Sequence, residues 1–147
     1  MTAAVADFLS PEKRSERMSR IRSKDTSPEL ALRRALHALG LRFRVHYRRL
    51  PGTPDIVLPR FQTAVFVHGC FWHRHAGCKV ASIPKSRTAF WQEKFERNVQ
   101  RDHRNIAALE KLGWNVIVAW ECELGSRRHV EEAARRVASE IGRRRGA

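Results

Sequence analysis

Four side chains suited to soft or borderline metal ions stand out by spacing: Cys70, His75, Cys78 and Cys122. Cys-x4-His-x2-Cys places three of them in one short loop, and Cys122 follows a segment that reads as a strand ending at Trp120. Four N/S ligands with no open position describe a structural tetrahedral Zn²⁺ site, not a catalytic one. The plain alternative is buried free thiols with His75 at the surface. Zinc accounts for all three cysteines of the chain at once. His73 competes with His75 for the metal, and spacing alone does not choose between them.

Asp55 stands out by isolation. From Leu30 to Gln92 it is the only acidic residue, among eleven Lys and Arg, and it begins an apolar run just after a proline turn. A carboxylate in that setting needs a cation or hydrogen-bond donors. Mg²⁺ satisfies it, since hard cations take one or two carboxylates plus phosphate oxygens; a salt bridge to an arginine or capping of the turn does so equally. His68 and His73 bracket Cys70 and have the neutral-range chemistry to move a proton. Asp102 lies on the apolar stripe Trp91, Phe95, Val99, Ile106, Leu109 of a long helical pattern. A carboxylate there wants a partner: a histidine whose ring it orients, or a helix-edge arginine such as Arg101 or Arg104. Phe71 and Trp72 are adjacent aromatics in a hydrophilic loop. They read as a local mini-core under the zinc, or as a wedge that parts base steps.

The elements that must position these residues follow from the same sequence. Thr26-Ser27-Pro28-Glu29 starts a helix with a hydroxyl cap, proline in the first turn and an acid facing the dipole, and Gly40 stops it after Leu39. Phe43 to Tyr47 alternates as a half-buried strand. Asp55 to Leu58 is a second strand, and Thr63 to Val67 a central one covered on both faces. Thr88 to Leu112 is a long helix, Trp114 to Trp120 another central strand, and Arg128 to Arg144 a last amphipathic helix. A three-strand meander, then a helical crossover into a fourth strand, gives a mixed α/β sheet flanked by helices. Residues 1–24 carry six basic and three acidic residues with little apolar periodicity, so they read as a mobile basic arm ahead of one domain, 25–147.

The 147 residues suit that single domain. The formal net charge of +14 points to a polyanion, above all nucleic acid. No run approaches the ~20 apolar residues of a membrane span, no secretory signal is visible, and three cysteines suit a cytosolic chain. A secreted disulfide scaffold, a membrane protein and a multidomain assembly are excluded.

Several motifs together resemble the very short patch repair (Vsr) mismatch endonucleases. They are Arg14 to Ile21, Asp25-Thr26-Ser27-Pro28-Glu29, Leu50 to Asp55, His68-Gly69-Cys70-Phe71-Trp72-His73, Arg87 to Trp91, Asn98 to Asp102, and Trp120-Glu121-Cys122. The likeness covers roughly residues 13–125 in the family's order. It implies a restriction-endonuclease-like fold and Mg²⁺-dependent nicking of double-stranded DNA at a T·G mismatch. By the same resemblance, Asp55 and the backbone carbonyl of Val67 ligate Mg²⁺. His73 is the general base steadied by Asp102, and His68 and Glu29 complete the site. Phe71 and Trp72 enter the duplex beside the mismatch, Met18 wedges from the arm, and Lys94 and Asn98 contact the mismatched pair. Two departures are visible: Val67 stands where a threonine is expected, and Ala76-Gly77 is one residue longer than expected between His75 and Cys78.

The reading is a monomeric, cytoplasmic, nucleoid-associated bacterial nickase with catalytic Mg²⁺ and structural Zn²⁺, working with downstream mismatch-repair proteins. Its rivals are a non-catalytic zinc-stabilised DNA-binding module and a nuclease of the same fold with another specificity.

Overall fold

The computed structural model describes residues 26–78 and 81–146. The basic arm expected over 1–24, with Met18, lies outside them. Helix α1 (Ser27–Ala38) starts where the sequence places it. The Glu29 N–H bonds the Thr26 hydroxyl, Pro28 sits in the first turn, and Gly40 at φ +85° ends the helix. Strands β1 (Arg44–Val45), β2 (Ile56–Leu58) and β3 (Thr63–His68) form an antiparallel meander. Helix α2 (Thr88–Lys111) then crosses over to β4 (Asn115–Trp120), which pairs parallel to β3 from Thr63↔Asn115 to His68↔Trp120. After a 3₁₀ turn over Glu121–Leu124, helix α3 (Arg127–Gly146) closes the chain.

The sheet order is β1-β2-β3-β4, so the mixed α/β architecture stands. Side chains alternate across the sheet and divide the core in two. Ile56, Leu58, Val65, Ile117 and Ala119 face α1 and α3, meeting Leu32, Leu36, Val130, Ala134 and Val137. Ala64 and Phe66 face α2, where Leu109 covers them. Leu36 is fully buried, and its truncation to alanine would cost about 2–5 kcal/mol. A third cluster, Trp72, Trp91 and Phe95 with Phe71 and Phe90, joins the loop after β3 to the first half of α2.

Two strand expectations need correction. The strand expected over Phe43 to Tyr47 shrinks to two exposed residues, because His46 adopts a left-handed backbone at φ 52° and breaks the ladder. The segment before Trp120 forms an edge strand, not a central one. Only Ile117 and Ala119 are buried along it, since no described strand pairs on its outer side.

Candidate active site

The C-terminal end of β3, the N-terminus of α1, the turn before β2 and the middle of α2 converge on a cleft of about 910 Å³. The turn is held against α2 by close approach: a Cβ added at Gly52, φ +77°, would sit 2.9 Å from the Asn105 Cβ. A glycine is therefore required for both its backbone angle and its bareness. Asp55 and Asp102 both line the cleft.

One wall carries carboxylates. Asp55 stands one residue before β2, and its Oδ2 accepts the Val67 N–H at 2.7 Å, tying the turn to β3. Glu29, only 3% exposed, reaches the same place from α1 and is bound by Arg33 one helical turn on. Arg33 also lies 3.2 Å from His46 Nε2, which must accept, because a guanidinium has no acceptor. Burial pushes the Asp55 carboxyl up to about 7; the Val67 N–H pulls it down, and the neighbouring Glu29 carboxyl adds to the rise. Two half- to fully buried acids facing one offsetting arginine form a hard-donor pair that a divalent cation fits.

The other wall carries imidazoles. His68, at the end of β3, stacks on His73 with centroids 3.9 Å apart and planes 6° from parallel. His73 Nδ1 lies 2.5 Å from Asp102 Oδ2. Burial alone would raise the Asp102 carboxyl; the His73 hydrogen bond, the neighbouring imidazoles and Arg101 outweigh it and hold the group below its usual range. An ionised Asp102 fixes the proton on Nδ1 and leaves Nε2 of His73 as an acceptor. Ligand atoms of His68, His73 and Asp102 lie within 4.8 Å of one another. Parallel stacked rings, however, keep their lone pairs in separate planes, so the trio is better built for moving a proton than for holding a metal.

Cys70, His75, Cys78 and Cys122 also bring their ligand atoms within 4.8 Å of one another. His75 Nδ1 is 3.7 Å from Cys70 Sγ and 3.3 Å from Cys122 Sγ. The structure places His75 with the cysteines and His73 against Asp102. The soft, compact donor set can hold a metal ion and fits a tetrahedral one. Burial pushes the Cys70 thiol up to about 12, so an ion there must displace its proton. Cys70 and His75 bracket His73, and the His75 ring stacks on Trp120 at 4.2 Å while His68 meets that indole edge-on. The cluster thus braces the imidazole wall.

Phe71 and Trp72 line the cleft and belong to the aromatic cluster, with Trp72 7% exposed and Lys94 Nζ 5.1 Å above its ring. Asn98 is buried; its Nδ2 donates to the Trp72 carbonyl and its Oδ1 accepts from Arg101 at 2.9 Å. Sequence reasoning missed Arg33, and it offered Arg101 only as an alternative partner for Asp102, not as a partner of Asn98. The acid-to-base spacing of four from Glu29 on a capped helix signals Arg33; no local pattern signals the role of Arg101. Among the described residues, no helix is long and apolar enough to cross a membrane.

Comparison with known proteins shows the family. Residues 6–79 match the family model described as DNA mismatch endonuclease Vsr. The chain is 50% identical over 133 residues to the type II nicking enzyme V.XorIIP of Xanthomonas oryzae pv. oryzae, covering 90% of this chain and 97% of that one. It is 45% identical over 137 residues to V.NmeAIP of Neisseria meningitidis, a second type II nicking enzyme, covering 93% and 97%. Against the DNA mismatch endonuclease Vsr of Escherichia coli it is 42% identical over 130 residues, covering 88% and 83%. The chain belongs to the Vsr DNA mismatch endonuclease family and is an endonuclease.

Proposed function

We propose that the cleft binds duplex DNA carrying a T·G mismatch and cuts one strand beside it in a Mg²⁺-dependent reaction, the first step of very short patch repair. The observation that carries this reading is one cleft lined both by Asp55, with Glu29 beside it, and by a histidine held by an aspartate. Phosphodiester hydrolysis needs both kinds of group.

Asp55 would hold the ion, with Glu29 beside it and the Val67 carbonyl as a neutral donor. Bound there, Mg²⁺ supplies charge neutralisation at the phosphate. The chain's own residues do the rest. His73 Nε2 takes a proton from water as the new P–O bond forms and the bond to the leaving sugar oxygen breaks. Asp102 stabilises the imidazolium that results. His68, stacked on the ring, blocks its rotation. The Cys/His cluster holds Zn²⁺ and keeps the His73 loop in place.

The aromatic cluster opens onto the cleft at Phe71 and Trp72, where it would part the base step beside the mismatch while Lys94 stays over the Trp72 face. A T·G wobble is easier to deform than a matched pair, which favours it there. Both walls come from one chain, which supports a monomer as the active unit. The three-strand meander and parallel fourth strand support a restriction-endonuclease-like core. The names of the relatives, nicking enzymes and a mismatch endonuclease, agree with this activity.

The test is incubation of the purified protein with T·G and matched T·A duplexes, with Mg²⁺ or with a chelator. We expect a single-strand break in the T·G duplex with Mg²⁺ alone. Equal cutting of both duplexes removes the mismatch specificity, and cutting in chelator removes the metal.

A further inference from the structure

Among the described residues, the cleft is lined by three carboxylates, Asp55, Asp102 and Glu121, with Glu29 beside Asp55, and by one Lys/Arg side chain, Arg101. A polyanion entering such a space needs a fixed cation as well as any metal, or the carboxylates repel it. Arg101 lies one residue before Asp102 on α2 and is exposed. Among the described residues it forms no ion pair; instead its Nη2 donates to Asn98 Oδ1. Asn98 is 6% exposed and is itself tied to the loop through the Trp72 carbonyl. A buried amide with both ends engaged holds one terminal nitrogen, Nη2, of the guanidinium. The remaining donors are left to the cleft in the planar arrangement that suits phosphate oxygens.

We propose that Arg101 clamps a backbone phosphate of the DNA next to the cutting site, and that Asn98 is the positioning residue that aims it. This rests on the reading of the cleft as a DNA site. It also gives Asn98 a route to the substrate that its burial otherwise denies. The charge of Arg101 acts on Asp102 as well, so the clamp and the proton-moving pair share one turn of helix.

The experiment measures duplex affinity against salt, without Mg²⁺, for the wild type, Arg101→Met, Arg101→Lys, Asn98→Ala and Asn98→Ala/Arg101→Met. Losing one phosphate contact should flatten the log–log salt slope by about one and weaken T·G and T·A binding alike, by about tenfold. Arg101→Lys should restore the slope and only part of the affinity, because the point charge returns without the fork. Asn98→Ala should weaken binding by about threefold with the slope kept, and should add nothing to Arg101→Met. Thermal midpoints should agree between Arg101→Met and the wild type, since the side chain is exposed. An unchanged slope in Arg101→Met, with wild-type nicking intact, overturns the clamp alone. A wild-type protein that neither binds nor nicks T·G duplex overturns the reading of the cleft, and the clamp with it.

Discussion

The two walls of the cleft are built by different means. Asp55 and Glu29 hang on regular elements, β2 and α1, whose Ile56, Leu58, Leu32 and Leu36 are buried in the main core. His73 sits in the segment between β3 and α2, where no described residue is in a strand or an α-helix, and depends on a Cys/His cluster, an indole and an aspartate from a distant helix. The difference teaches where each wall is vulnerable: hydrophobic packing sets the carboxylates, and the Cys/His cluster sets the base.

The sharpest break comes at Asp55. Asp55→Ala should slow nicking by about 10³-fold or more if, as proposed, Asp55 is the main ligand of the ion that stabilises the transition state. Duplex affinity, carried by arginines, should change by less than about threefold. Single-turnover cutting and anisotropy binding on one T·G duplex measure both. On the opposite wall, His73→Ala should cost about 10²–10⁴-fold, the usual worth of a general base. Asp102→Asn should cost less, and the double variant no more than His73→Ala alone, because the two act as a unit.

Much of this division was legible in the chain. The Ser27-Pro28 start of α1, the run from Thr88 into α2 and the isolation of Asp55 are local signals, and each element formed within a residue or two of where its sequence places it. The grouping of Cys122 with Cys70 and Cys78 was legible because the chain has only three cysteines, whereas the choice between His73 and His75 was not. What stayed hidden is long-range. Nothing around His46 announces a left-handed residue that ends β1 and meets Arg33 from α1. The choice of Asp102 for His73 over Arg101 or Arg104 depends on a loop twenty-nine residues away folding over α2. The edge position of β4 follows from pairing order, which apolar content cannot give.

The third prediction sharpens the contrast. Cys122→Ala should lose the bound metal and lower the thermal midpoint by about 5 °C or more, since ligation joins the loop to the end of β4. Nicking should fall while Mg²⁺ binding at Asp55 persists. Loss of both together would mean that the walls are one cooperative unit.

The smallest effect is on pH. Burial raises Asp55 from 3.8 to about 7, so in the metal-free fold the carboxyl prefers its proton. The stability this gives is complete below pH 3.8 and is lost as pH rises through about 7. Asp55→Asn mimics the protonated form. Without Mg²⁺ it should melt a few degrees above the wild type at pH 8, and the gap should narrow at pH 5. Scanning calorimetry in chelator reads this directly.

The central claim is that one wall holds the metal and the other moves the proton. Its most direct test is a Mg²⁺ titration of the protein bound to T·G duplex, comparing the wild type with His73→Ala. The account predicts the same Mg²⁺ midpoint for both, with cutting lost only in the variant. A midpoint shifted in His73→Ala as far as in Asp55→Ala would contradict it, and would place both walls around the metal.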